Sequence, residues 1–335
     1  MEVRINNIVY TSLAAMQGEV PAAVVEFLEL WYNDADSVQG YTSGSTGAPK
    51  PIKLLKSDMR ASARLTNHYL GIDSHSTLLL CLSPSYIAGK MMIVRALEAR
   101  ASLLVVEPSS TPLQNLDTSI TLAAMVPMQV SETLQQKDGA AQLSRIEQLL
   151  IGGAPVLPAL ENRLKTLTTH SYITYGMTET VSHVALRRPG DDCYDAIGDV
   201  SFEVDKRGCL VIDAPQLSER RFVTNDMVSL DSERRFRWLG RYDNVIMSGG
   251  LKFCAEELEK KITSVIPSRY YITAAPDERL GQHIVLVIES LPYNPVQEEK
   301  LREQLLQILS RYEMPREIKY MSRFEETYSG KIKRQ

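Results

Sequence analysis

The sequence predicts an α/β protein whose larger part is built on a parallel sheet, and two patterns carry this prediction. From about residue 50 to residue 190, short apolar runs alternate with segments of helical periodicity. Strands that alternate with helices in this way form parallel sheets with crossover helices. From about residue 198 the pattern changes to short strands and turns, which indicates a small antiparallel unit.

The elements of the parallel region follow one another closely. Ser57 is predicted to cap a helix that ends at Gly71. A buried strand over residues 77–82, a helix over 87–100 and a strand over 102–106 come next. The alternation then continues with the strand TLAAMV, a helix from Val130, the strand QLLIG, a helix over PALENRLKTL and the strand SYITY.

A second change of pattern falls near Gly240 to Asp243. After it the sequence predicts the helix AEELEKKITSV, the strands RYYITAA and HIVLVIE, the long helix VQEEKLREQLLQILSRY and a last strand, EIKYM. These elements suffice for a compact α+β domain of about 90 residues. We therefore expect two domains, residues 1–240 and residues 241–335.

The composition is that of an ordinary globular protein, with 44% hydrophobic and 23% charged residues among 335. A net charge of −4 does not favour a nucleic-acid partner, and no apolar run reaches the roughly 20 residues that a membrane span requires. The start MEVRINNIVY lacks the basic and then apolar pattern of a signal peptide, so we expect a cytoplasmic protein. The four cysteines form no Cys-x-x-Cys pair, which favours reduced thiols over disulfides or a zinc site.

The stretch TSGSTGAPK, Thr42 to Lys50, holds no large apolar side chain, and two interpretations of it remain open. A flexible Gly/Ser linker has this composition. A phosphate-binding loop has it too, because glycines let backbone N–H groups approach an anion while hydroxyls and an ammonium supply further donors. Two common templates fail: Gly44 is followed five places on by Pro49 and not by Gly-Lys, and no glycine stands two residues before Ser43 or Ser45.

Two further motifs follow strands of the parallel region. GGAP, Gly152 to Pro155, is either a strand-to-helix turn with its proline near the first helical position or part of a ligand site. YGMTET, Tyr175 to Thr180, is either a capped turn or a site in which Tyr175 stacks on a planar base. In the second case Glu179, together with Thr178, would hold a divalent cation through oxygen.

Two more motifs lie in the second half of the chain. TND, Thr224 to Asp226, is followed by GRYDN, Gly240 to Asn244, in which Asp226 suits a turn and Arg241 suits an exposed surface. The stretch SGKIKRQ, residues 329–335, has the composition of a solvated basic tail. Each motif therefore has a purely structural interpretation when it is taken alone.

The order of these motifs resembles the adenylate-forming superfamily, which contains acyl-CoA synthetases, the adenylation domains of peptide synthetases and firefly luciferase. The matching stretches are TSGSTGAPK, GGAP, YGMTET, TND, GRYDNVIMSGGLKFCAEELE and SGKIKR, and they run from residue 42 to residue 334. The resemblance implies an N-terminally shortened large domain, with a parallel α/β sheet and a small β unit, followed by a small α+β domain. It also implies a two-step ligation, in which ATP activates a carboxylate to an acyl-adenylate and a thiol then attacks it.

The resemblance implies a set of ATP contacts. The β- and γ-phosphates are expected at the first loop, through Thr42, Ser43, Gly44, Ser45, Thr46, Gly47 and Lys50. The adenine is expected between Gly153, Ala154, Tyr175 and Gly176, and the ribose hydroxyls at Asp226 and Arg241.

The resemblance also implies the residues of the two reaction steps. Mg²⁺ would bind Glu179 beside Thr178, and the ammonium of Lys331 would neutralise the charge that develops on the α-phosphate. Asp243 would be the hinge about which the C-terminal domain rotates between the steps. The pantetheine arm of CoA would pass along Gly249, Gly250 and Lys252.

The segment of residues 83–109 most resembles o-succinylbenzoate CoA ligases of menaquinone biosynthesis. Their substrate carries a second carboxylate, for which Lys90 and Arg95 are the candidate partners, with Tyr86 just before their helix. Five positions correspond to about 140° around a helix, so we expect only one of the two cations to face the acid. Solvated charge on the helix surface is the alternative for both.

The chain departs from the family pattern at several places. Only 41 residues precede TSGSTGAPK, and Ser45, Asn225 and Ala255 replace the usual Thr, Gly and Pro. We nevertheless expect a complete enzyme that uses ATP, Mg²⁺, CoA and a small carboxylic acid, with a homo-oligomer as one option. The alternatives are another acyl- or aryl-CoA synthetase, an adenylation enzyme that loads a carrier protein, and an ATP-binding module without turnover.

Overall fold

The computed structural model describes residues 1–41, 50–326 and 332–334. The chain forms two compact units. The first contains Met1–Ser201 and Ile212–Phe222, and the second contains Phe202–Val211 and Val223–Gln335. The expected domain boundary between residues 240 and 241 concerns a different question, namely whether residues 241–335 rotate as one body. It stays a prediction.

Most strands of the first unit belong to one sheet. They are β1 (Val3–Ile5), β2 (Ile8–Tyr10), β5 (Thr77–Leu80), β6 (Ser102–Val105), β7 (Ile120–Met125), β8 (Ile146–Ile151), β9 (His170–Gly176), β10 (His183–Arg187) and β11 (Cys193–Ala196). Their order in space is β2-β1-β6-β5-β7-β8-β9-β10-β11. The strands β3 (Ser37–Tyr41) and β4 (Pro51–Leu55) form a separate antiparallel pair.

The centre of this sheet is parallel. The neighbours β1 and β6, β6 and β5, β5 and β7, β7 and β8, and β8 and β9 all pair in parallel. The strands β2, β10 and β11 at the two ends join the sheet in antiparallel pairs. The predicted parallel sheet between residues 50 and 190 is therefore confirmed.

Helices cover this sheet. They are α1 (Ala22–Tyr32), α2 (Lys56–Leu70), α3 (Ile87–Ala99), α4 (Pro127–Gln135), α5 (Gly139–Leu143) and α6 (Pro158–Leu164), with a short 3₁₀ turn at Ala14–Met16. Side chains of α4, α5 and α6 join Leu79 and Leu149 of the sheet in one buried cluster, whereas α3 packs against β5 and β6. Strands with covered faces carry consecutive apolar residues, which is why TLLL and QLLI read as continuous apolar runs.

The parallel order brings a set of loops to one edge of the sheet. Because each strand runs parallel to its neighbour, four strands have their carboxyl ends at the same edge of the sheet: β5, β7, β8 and β9. The segments that follow them are residues 81–86, Val126, residues 152–157 and residues 177–182. Open α/β sheets bind their ligands outside the carboxyl ends of the strands, so this edge is the place to look for a site.

The ends of several predicted helices differ from the structure. The helices predicted over PALENRLKTL and AEELEKKITSV, for example, already end at Leu164 and Ile262. Ser57 is not a cap, because β4 leads into α2 without a loop and the capping position falls on Leu55. The helix predicted from Val130 begins earlier, at Pro127, where the missing N–H and fixed φ of proline suit a first turn. The long helix predicted to run to Tyr312 ends at Leu306, and a turn follows in which Leu309 is buried.

The second unit contains two antiparallel regions. The strands β12 (Ser201–Val204), β13 (Cys209–Asp213), β14 (Arg221–Ser232) and β15 (Arg235–Arg241) lie side by side in that order. After a 3₁₀ turn at Tyr242–Asn244 come β16 (Val245–Ser248), β17 (Leu251–Cys254), α7 (Ala255–Ile262), β18 (Tyr270–Asp277), β19 (Gly281–Glu289), α8 (Pro295–Leu306) and β20 (Glu317–Met321). The second sheet has the order β17-β16-β19-β18, and β20 pairs in parallel with β19. Both regions match the predicted antiparallel unit and α+β fold.

The core of the α+β part lies between its sheet and its two helices. Leu258 and Ile262 of α7 and Leu301 and Leu305 of α8 pack with the apolar face of β18 and β19. Asn294 caps α8 by accepting a hydrogen bond from the Gln297 backbone N–H, and the Gln297 side chain accepts one from the Asn294 N–H in return. No helix in the described part of the chain combines the length and apolar character needed to cross a membrane.

Candidate active site

The adenine residues of the prediction lie at the carboxyl edge of the parallel sheet. The strands β8 and β9 pair with Ile151 opposite Ile173, so Gly153 and Tyr175 each follow that pair by two residues. Gly153 has φ +83°, a conformation that a residue with a Cβ rarely adopts. Ala154 follows directly in the same turn. The structure therefore brings together the two stretches to which adenine binding was assigned.

Tyr175 stands next to a second aromatic ring. The ring centroids of Tyr175 and Tyr194 are 5.6 Å apart at an interplanar angle of 57°. Behind Tyr194, the Arg187 guanidinium carbon lies 5.3 Å from the ring centroid, and Arg187 forms a bidentate ion pair with Glu161 at 2.6 and 3.0 Å. Burial would lower the pKa of Arg187, but hydrogen bonds and charge from Glu161 and Tyr194 outweigh it and raise the pKa. The wall beside Tyr175 is thus fixed by charged contacts.

The turn between β9 and β10 carries Thr178 and Glu179. The Thr180 hydroxyl orders this turn, because it accepts a hydrogen bond from the Met177 N–H at 3.0 Å and donates one to the Ser182 carbonyl oxygen at 2.8 Å. Thr178 is buried, whereas Glu179 is exposed at the sheet edge. The backbone is strained at the following position, where Val181 has φ +66° although it is β-branched.

Arg95 is the most deeply buried of the predicted acid-binding residues, with 2% of its surface exposed. Its Nη2 donates to Ser182 Oγ at 2.8 Å, and its Nη1 lies 3.6 Å from Met92 Sδ. Among the described residues, no carboxylate forms an ion pair with Arg95, and its Nε has no hydrogen-bond partner. Burial lowers the pKa of Arg95 to about 10, which still leaves it charged at neutral pH.

His183 extends the contact of Arg95 into a buried chain of hydrogen bonds. Ser182 Oγ lies 3.4 Å from His183 Nδ1, and His183 Nε2 lies 3.1 Å from the Thr66 hydroxyl, which donates to the Ser62 carbonyl oxygen. Every hydrogen bond of this chain can form when His183 Nε2 carries the proton and donates to the Thr66 hydroxyl, while Nδ1 accepts from the Ser182 hydroxyl. Burial, and then the Arg95 charge, hold the pKa of His183 well below its ordinary value. The Arg95 charge therefore sits beside a neutral imidazole.

Lys90 and Tyr86 differ from Arg95. Lys90 Nζ donates to the Pro84 carbonyl oxygen at 2.5 Å and lies 5.6 Å from the Phe27 ring centroid, so its ammonium holds the loop before α3. Burial lowers the pKa of Lys90. Tyr86 occupies the capping position of α3 and is exposed. The expectation that only one of the two cations faces the acid stays a prediction.

The ribose residues of the prediction lie together in the second unit. Asp226 on β14 faces Arg241 on β15, and Arg241 Nη1 lies 3.3 Å from Asp226 Oδ1. The Trp238 indole N–H donates to the same carboxylate oxygen at 3.3 Å, and Arg241 Nη2 contacts Asp243 Oδ2 at 3.1 Å. Burial would lower the pKa of Arg241, but Asp226 and Asp243 raise it. The predicted ribose residues and the predicted hinge residue thus form one charged cluster.

The predicted pantetheine residues occupy a hairpin of the second unit. Gly249 and Gly250 have φ of +58° and +80° and form the two-residue turn between β16 and β17, a geometry that favours glycine. Lys252 Nζ donates to the Arg207 carbonyl oxygen at 3.1 Å. The same ammonium lies 5.4 Å from the Tyr242 ring centroid, and Arg207 stacks over that ring as well.

Part of the predicted site lies outside the described residues. These positions are Thr42, Ser43, Gly44, Ser45, Thr46 and Gly47 of the phosphate loop, and Lys331 of the tail. Lys50, at the end of the same loop, is described and exposed, just before β4. The role of the loop in phosphate binding and that of Lys331 in adenylation stay predictions.

A model of AMP-binding enzymes matches residues 34–218. The chain belongs to this family. The acyl-CoA synthetase (AMP-forming)/AMP-acid ligase II-like protein of Dyadobacter fermentans shares 37% identity over 93% of this chain and 91% of its own, with a TM-score of 0.63. The predicted family and fold class are therefore confirmed.

Curated relatives of this AMP-binding enzyme carry more specific names. The 2-succinylbenzoate–CoA ligase of Enterococcus faecalis is 24% identical over 90% of this chain and 69% of its own length. The 3,4-dihydroxybenzoate–[aryl-carrier protein] ligase of Bacillus anthracis is also 24% identical, over 89% of this chain and 72% of its own. The o-succinylbenzoate CoA synthetase of Bacillus subtilis, solved with ATP and a magnesium ion, has the same fold at a TM-score of 0.72 and 19% identity over 89% of this chain and 69% of its own.

The donors at the sheet edge fit a magnesium ion shared with a nucleotide. Mg²⁺ keeps several waters and takes one or two protein oxygens together with the phosphates of a substrate. The Glu179 carboxylate is exposed at this edge, and Thr178 is its neighbour in the turn. Among the described residues, no group of three or more His, Cys, Asp or Glu side chains makes an all-protein metal cage. Such a cage is not what a phosphate-bound Mg²⁺ requires.

Four residues of the site were missed by the sequence analysis: Ser182, His183, Tyr194 and Trp238. Ser182 and His183 follow YGMTET after one residue, Val181, so an extended motif would have included them. Trp238 is one of only two tryptophans and stands three residues before Arg241, which is a usable signal. Tyr194 meets Tyr175 only through the pairing of β9, β10 and β11, and no local pattern announces it.

Proposed function

We propose that this AMP-binding enzyme is an ATP-dependent acid–thiol ligase, and that its acid is o-succinylbenzoate, so that it serves menaquinone biosynthesis as an o-succinylbenzoate CoA ligase. The family supports the ligase chemistry. The observation that carries the choice of acid is Arg95, a buried cation that has no carboxylate partner among the described residues. A buried charge is costly when unpaired, and a second carboxylate on the substrate would complete it.

The nucleotide contacts are assigned residue by residue. The phosphate loop with Lys50 would hold the β- and γ-phosphates, while Gly153, Ala154, Tyr175 and Gly176 would frame the adenine. Asp226, fixed by Arg241 and Trp238, would accept hydrogen bonds from the ribose hydroxyls. Glu179 and Thr178 would hold Mg²⁺, which neutralises phosphate charge when it is bound.

The first half-reaction joins the acid to AMP. A carboxylate oxygen of the acid attacks the α-phosphorus, a new O–P bond forms, and the bond to the bridging oxygen breaks so that pyrophosphate leaves. Both reactants are anions, so positive charge must be held where they meet. Lys331 is the residue that we assign to this role. Arg95 would hold the second carboxylate and so orient the reacting one.

The second half-reaction transfers the acyl group to CoA. The thiol sulfur attacks the activated carbonyl carbon, loses its proton, and expels AMP through the carbonyl–oxygen bond. We assign Gly249, Gly250 and Lys252 to the passage of the pantetheine arm. Residues 241–335 would rotate about Asp243 between the steps, so that Lys331 and the glycine hairpin act in turn.

The acid can be identified by ATP–pyrophosphate exchange with a panel of carboxylic acids. We expect exchange that depends on o-succinylbenzoate and far less exchange with benzoate, which lacks the second carboxylate. Thioester formation with free CoA should follow. Strong exchange with a monocarboxylic acid and none with o-succinylbenzoate would replace the acid but keep the ligase. Binding of ATP without exchange for any acid would favour the non-catalytic module.

A carrier-protein ligase is the second candidate, and the relative from Bacillus anthracis supports it. It shares the first half-reaction and differs only in the thiol. Thioester formation should therefore be compared with free CoA and with an aryl-carrier protein that bears the pantetheine arm. Transfer to the carrier protein alone would favour this second candidate.

A further inference from the structure

One side chain of the second unit, Arg207, joins a loop to a neighbouring strand. Arg207 lies in the loop of residues 205–208, between β12 and β13. Its Nε donates to Asp205 Oδ2 at 2.7 Å, its Nη1 to Asn225 Oδ1 at 2.8 Å and its Nη2 to the Thr224 carbonyl oxygen at 2.9 Å. Because the guanidinium is planar and all three of its nitrogens donate, it fixes both residues of β14 relative to the loop.

The loop that carries Arg207 is ordered by Asp205. Asp205 Oδ1 accepts hydrogen bonds from two backbone N–H groups, those of Arg207 at 2.8 Å and Cys209 at 2.9 Å. The Cys209 hydrogen bond is the main cause that lowers the pKa of the Asp205 carboxyl. The Arg207 side chain is 36% exposed, so its ion pair with Asp205 contributes more to position than to stability.

Thr224 and Asn225 directly precede Asp226, and both are held by hydrogen bonds. The buried Thr224 hydroxyl accepts from the Asp226 N–H at 3.0 Å and donates to the Leu210 carbonyl oxygen at 2.8 Å. Asn225 does not adopt a positive φ, so its contact with Arg207 comes from the side chain and not from an unusual backbone. Arg207 therefore fixes the segment from which Asp226 projects.

Arg207 also contacts the turn that follows Arg241. The guanidinium carbon of Arg207 lies 5.2 Å from the ring centroid of Tyr242, the next residue after Arg241. The Lys252 ammonium lies 5.4 Å from the same centroid and donates to the Arg207 carbonyl oxygen at 3.1 Å. Asp226 and Arg241 pair across β14 and β15. Arg207 thus touches the segment before the carboxylate and the residue after its partner cation.

We infer that Arg207 is a positioning residue for nucleotide binding: it fixes the Asp226 carboxylate and the Arg241 guanidinium in the arrangement that receives the ribose hydroxyls. The inference rests on the proposed function, which assigns these two residues to the ribose, and every residue in it belongs to the second unit. Arg207 touches no substrate in this scheme, because its three nitrogens donate within the fold. Its loss should weaken recognition of the ribose hydroxyls and spare the other contacts of the nucleotide.

Two nucleotides separate this recognition from the rest of ATP binding. ATP carries both ribose hydroxyls and 2′,3′-dideoxy-ATP lacks both, so the ratio of their dissociation constants reports what the hydroxyls contribute. In calorimetric titrations we expect the wild type to bind ATP about 10- to 100-fold more tightly, the size of effect of hydrogen bonds to a charged group. Asp226→Ala removes the acceptor and should bind the two nucleotides almost equally.

The main test is the variant Arg207→Met, which keeps the stem of the side chain and removes the guanidinium. Its preference for ATP should fall below about threefold, while its affinity for 2′,3′-dideoxy-ATP stays within about twofold of the wild type. Lys206→Met is the matched control, because Lys206 is an exposed cation next to Arg207 in the same loop. The control should keep the wild-type preference. General damage to the fold would instead weaken both nucleotides equally.

A milder variant covers the case in which Arg207→Met does not fold. Asn225→Ala removes one hydrogen bond of Arg207 and keeps those to Asp205 and Thr224, so the preference for ATP should fall about 3- to 10-fold. If Arg207 acts through Asn225, the double variant Arg207→Met/Asn225→Ala should lose no more preference than Arg207→Met alone, since both changes remove the same contact. Additive losses would contradict this route.

The outcomes separate the role of Arg207 from the proposed function. A wild type without ATP–pyrophosphate exchange for any acid would refute the ligase. A wild type that exchanges and prefers ATP, with an Arg207→Met variant that keeps the preference or loses affinity for both nucleotides equally, would refute the role of Arg207 alone. A wild type that exchanges but binds both nucleotides equally would refute the assignment of Asp226 to the ribose, and the role of Arg207 with it, and would leave the ligase standing.

Discussion

Two arginines of this AMP-binding enzyme are withdrawn from solvent and differ in one respect. Arg334 of the second unit lies in a bidentate pair with Glu259, whereas the Arg95 guanidinium of the first unit donates hydrogen bonds only to Ser182 Oγ and a methionine sulfur among the described residues. A paired arginine has its counter-charge within the fold, and its role is to fix the position of the segments that it joins. An arginine held without a carboxylate costs free energy, which an anionic ligand can return on binding. The contrast predicts that loss of the Arg334 ion pair lowers the free energy of unfolding, whereas neutralisation of Arg95 keeps or raises it.

The largest effect is expected where the pair is broken. Glu259→Ala should lower the free energy of unfolding by about 2 to 4 kcal/mol, because Arg334 is left largely buried with only the longer contact to Glu256, at 3.5 Å, as counter-charge. The double variant Glu259→Leu/Arg334→Met, which replaces the pair with apolar groups, should recover most of this loss. Urea denaturation measures both.

The exposed pair of Lys333 and Glu325 supplies the control for that measurement. Glu325→Ala should cost less than about 1 kcal/mol, since an exposed pair contributes little. If Glu259→Ala were as mild as Glu325→Ala, the Glu256 contact or water would compensate Arg334 without Glu259, and the contrast with Arg95 would fail.

Neutralisation of Arg95 should act in the opposite direction on stability. Arg95→Met keeps much of the volume and removes an unpaired buried charge, so the free energy of unfolding should stay the same or rise by about 1 to 3 kcal/mol. At the same time kcat/KM for o-succinylbenzoate should fall about 100-fold, since charge-assisted hydrogen bonds to a buried carboxylate are each worth about 1.5 to 3 kcal/mol. Chemical denaturation and steady-state kinetics on the same preparation test both halves.

The control for Arg95→Met is Arg64→Met. Arg64 lies on α2 with 69% of its side chain exposed and pairs with Glu98, so its loss should change neither kinetics nor stability by much. A destabilised Arg95→Met protein with unchanged kinetics for the acid would mean that the cation serves the fold, and the proposed acid would lose its main support.

Sequence reasoning predicted the features that depend on local contacts and missed those that depend on contacts between distant parts of the chain. TLLL and QLLI were predicted as strands because burial leaves consecutive apolar residues, and this signal is local. The start of α2 was misplaced because the direct connection from β4 to α2 depends on the pairing of β3 with β4, which Ser57 does not reveal. Element type was predictable from periodicity, and element ends were not.

The candidate site divides in the same way. Gly153 and Tyr175 could be assigned from motifs, since each motif lies at the carboxyl end of its own strand. The burial of Arg95 could not be predicted, because its neighbour Ser182 lies 87 residues away along the chain. The pairing of Arg334 with Glu259 spans 75 residues, and a terminal arginine in a basic run is ordinarily solvated. Long-range pairing of charge is where the structure adds most to the sequence.

A smaller effect is expected at His183, next to Arg95. The pKa of folded His183 lies well below its ordinary value of 6.5, so the unfolded chain binds the extra proton first and stability falls as the pH drops below 6.5. Between pH 6.5 and pH 5.5 the wild type should lose about 1 kcal/mol more than His183→Gln. Above about pH 7.5 the difference should not change with pH. Urea midpoints at a series of pH values measure it.

His75 provides the comparison for the pH series, because it is exposed. His75→Gln should show the same pH dependence as the wild type. Arg95→Met should weaken the dependence, since the Arg95 charge is the second cause of the low pKa of His183. A dependence that is identical in all these proteins would mean that another group titrates in this range.

The smallest effect is expected at Tyr194, which a third arginine, Arg187, supports. Arg187 tests whether the ion pair of an arginine or its place in the chain determines what the residue contributes. Arg187 lies in the first unit like Arg95 but is paired like Arg334, through Glu161, and it backs the Tyr194 ring beside Tyr175. Tyr194→Leu should therefore raise KM for ATP a few-fold and leave kcat nearly unchanged, since an aromatic pair is worth about 0.5 to 1.5 kcal/mol. Tyr194→Phe keeps the ring and should behave like the wild type in steady-state kinetics. If both variants raised KM equally, the hydroxyl and its contact with Arg187 would matter more than the ring, and the paired arginine would position a hydrogen bond instead of an aromatic wall.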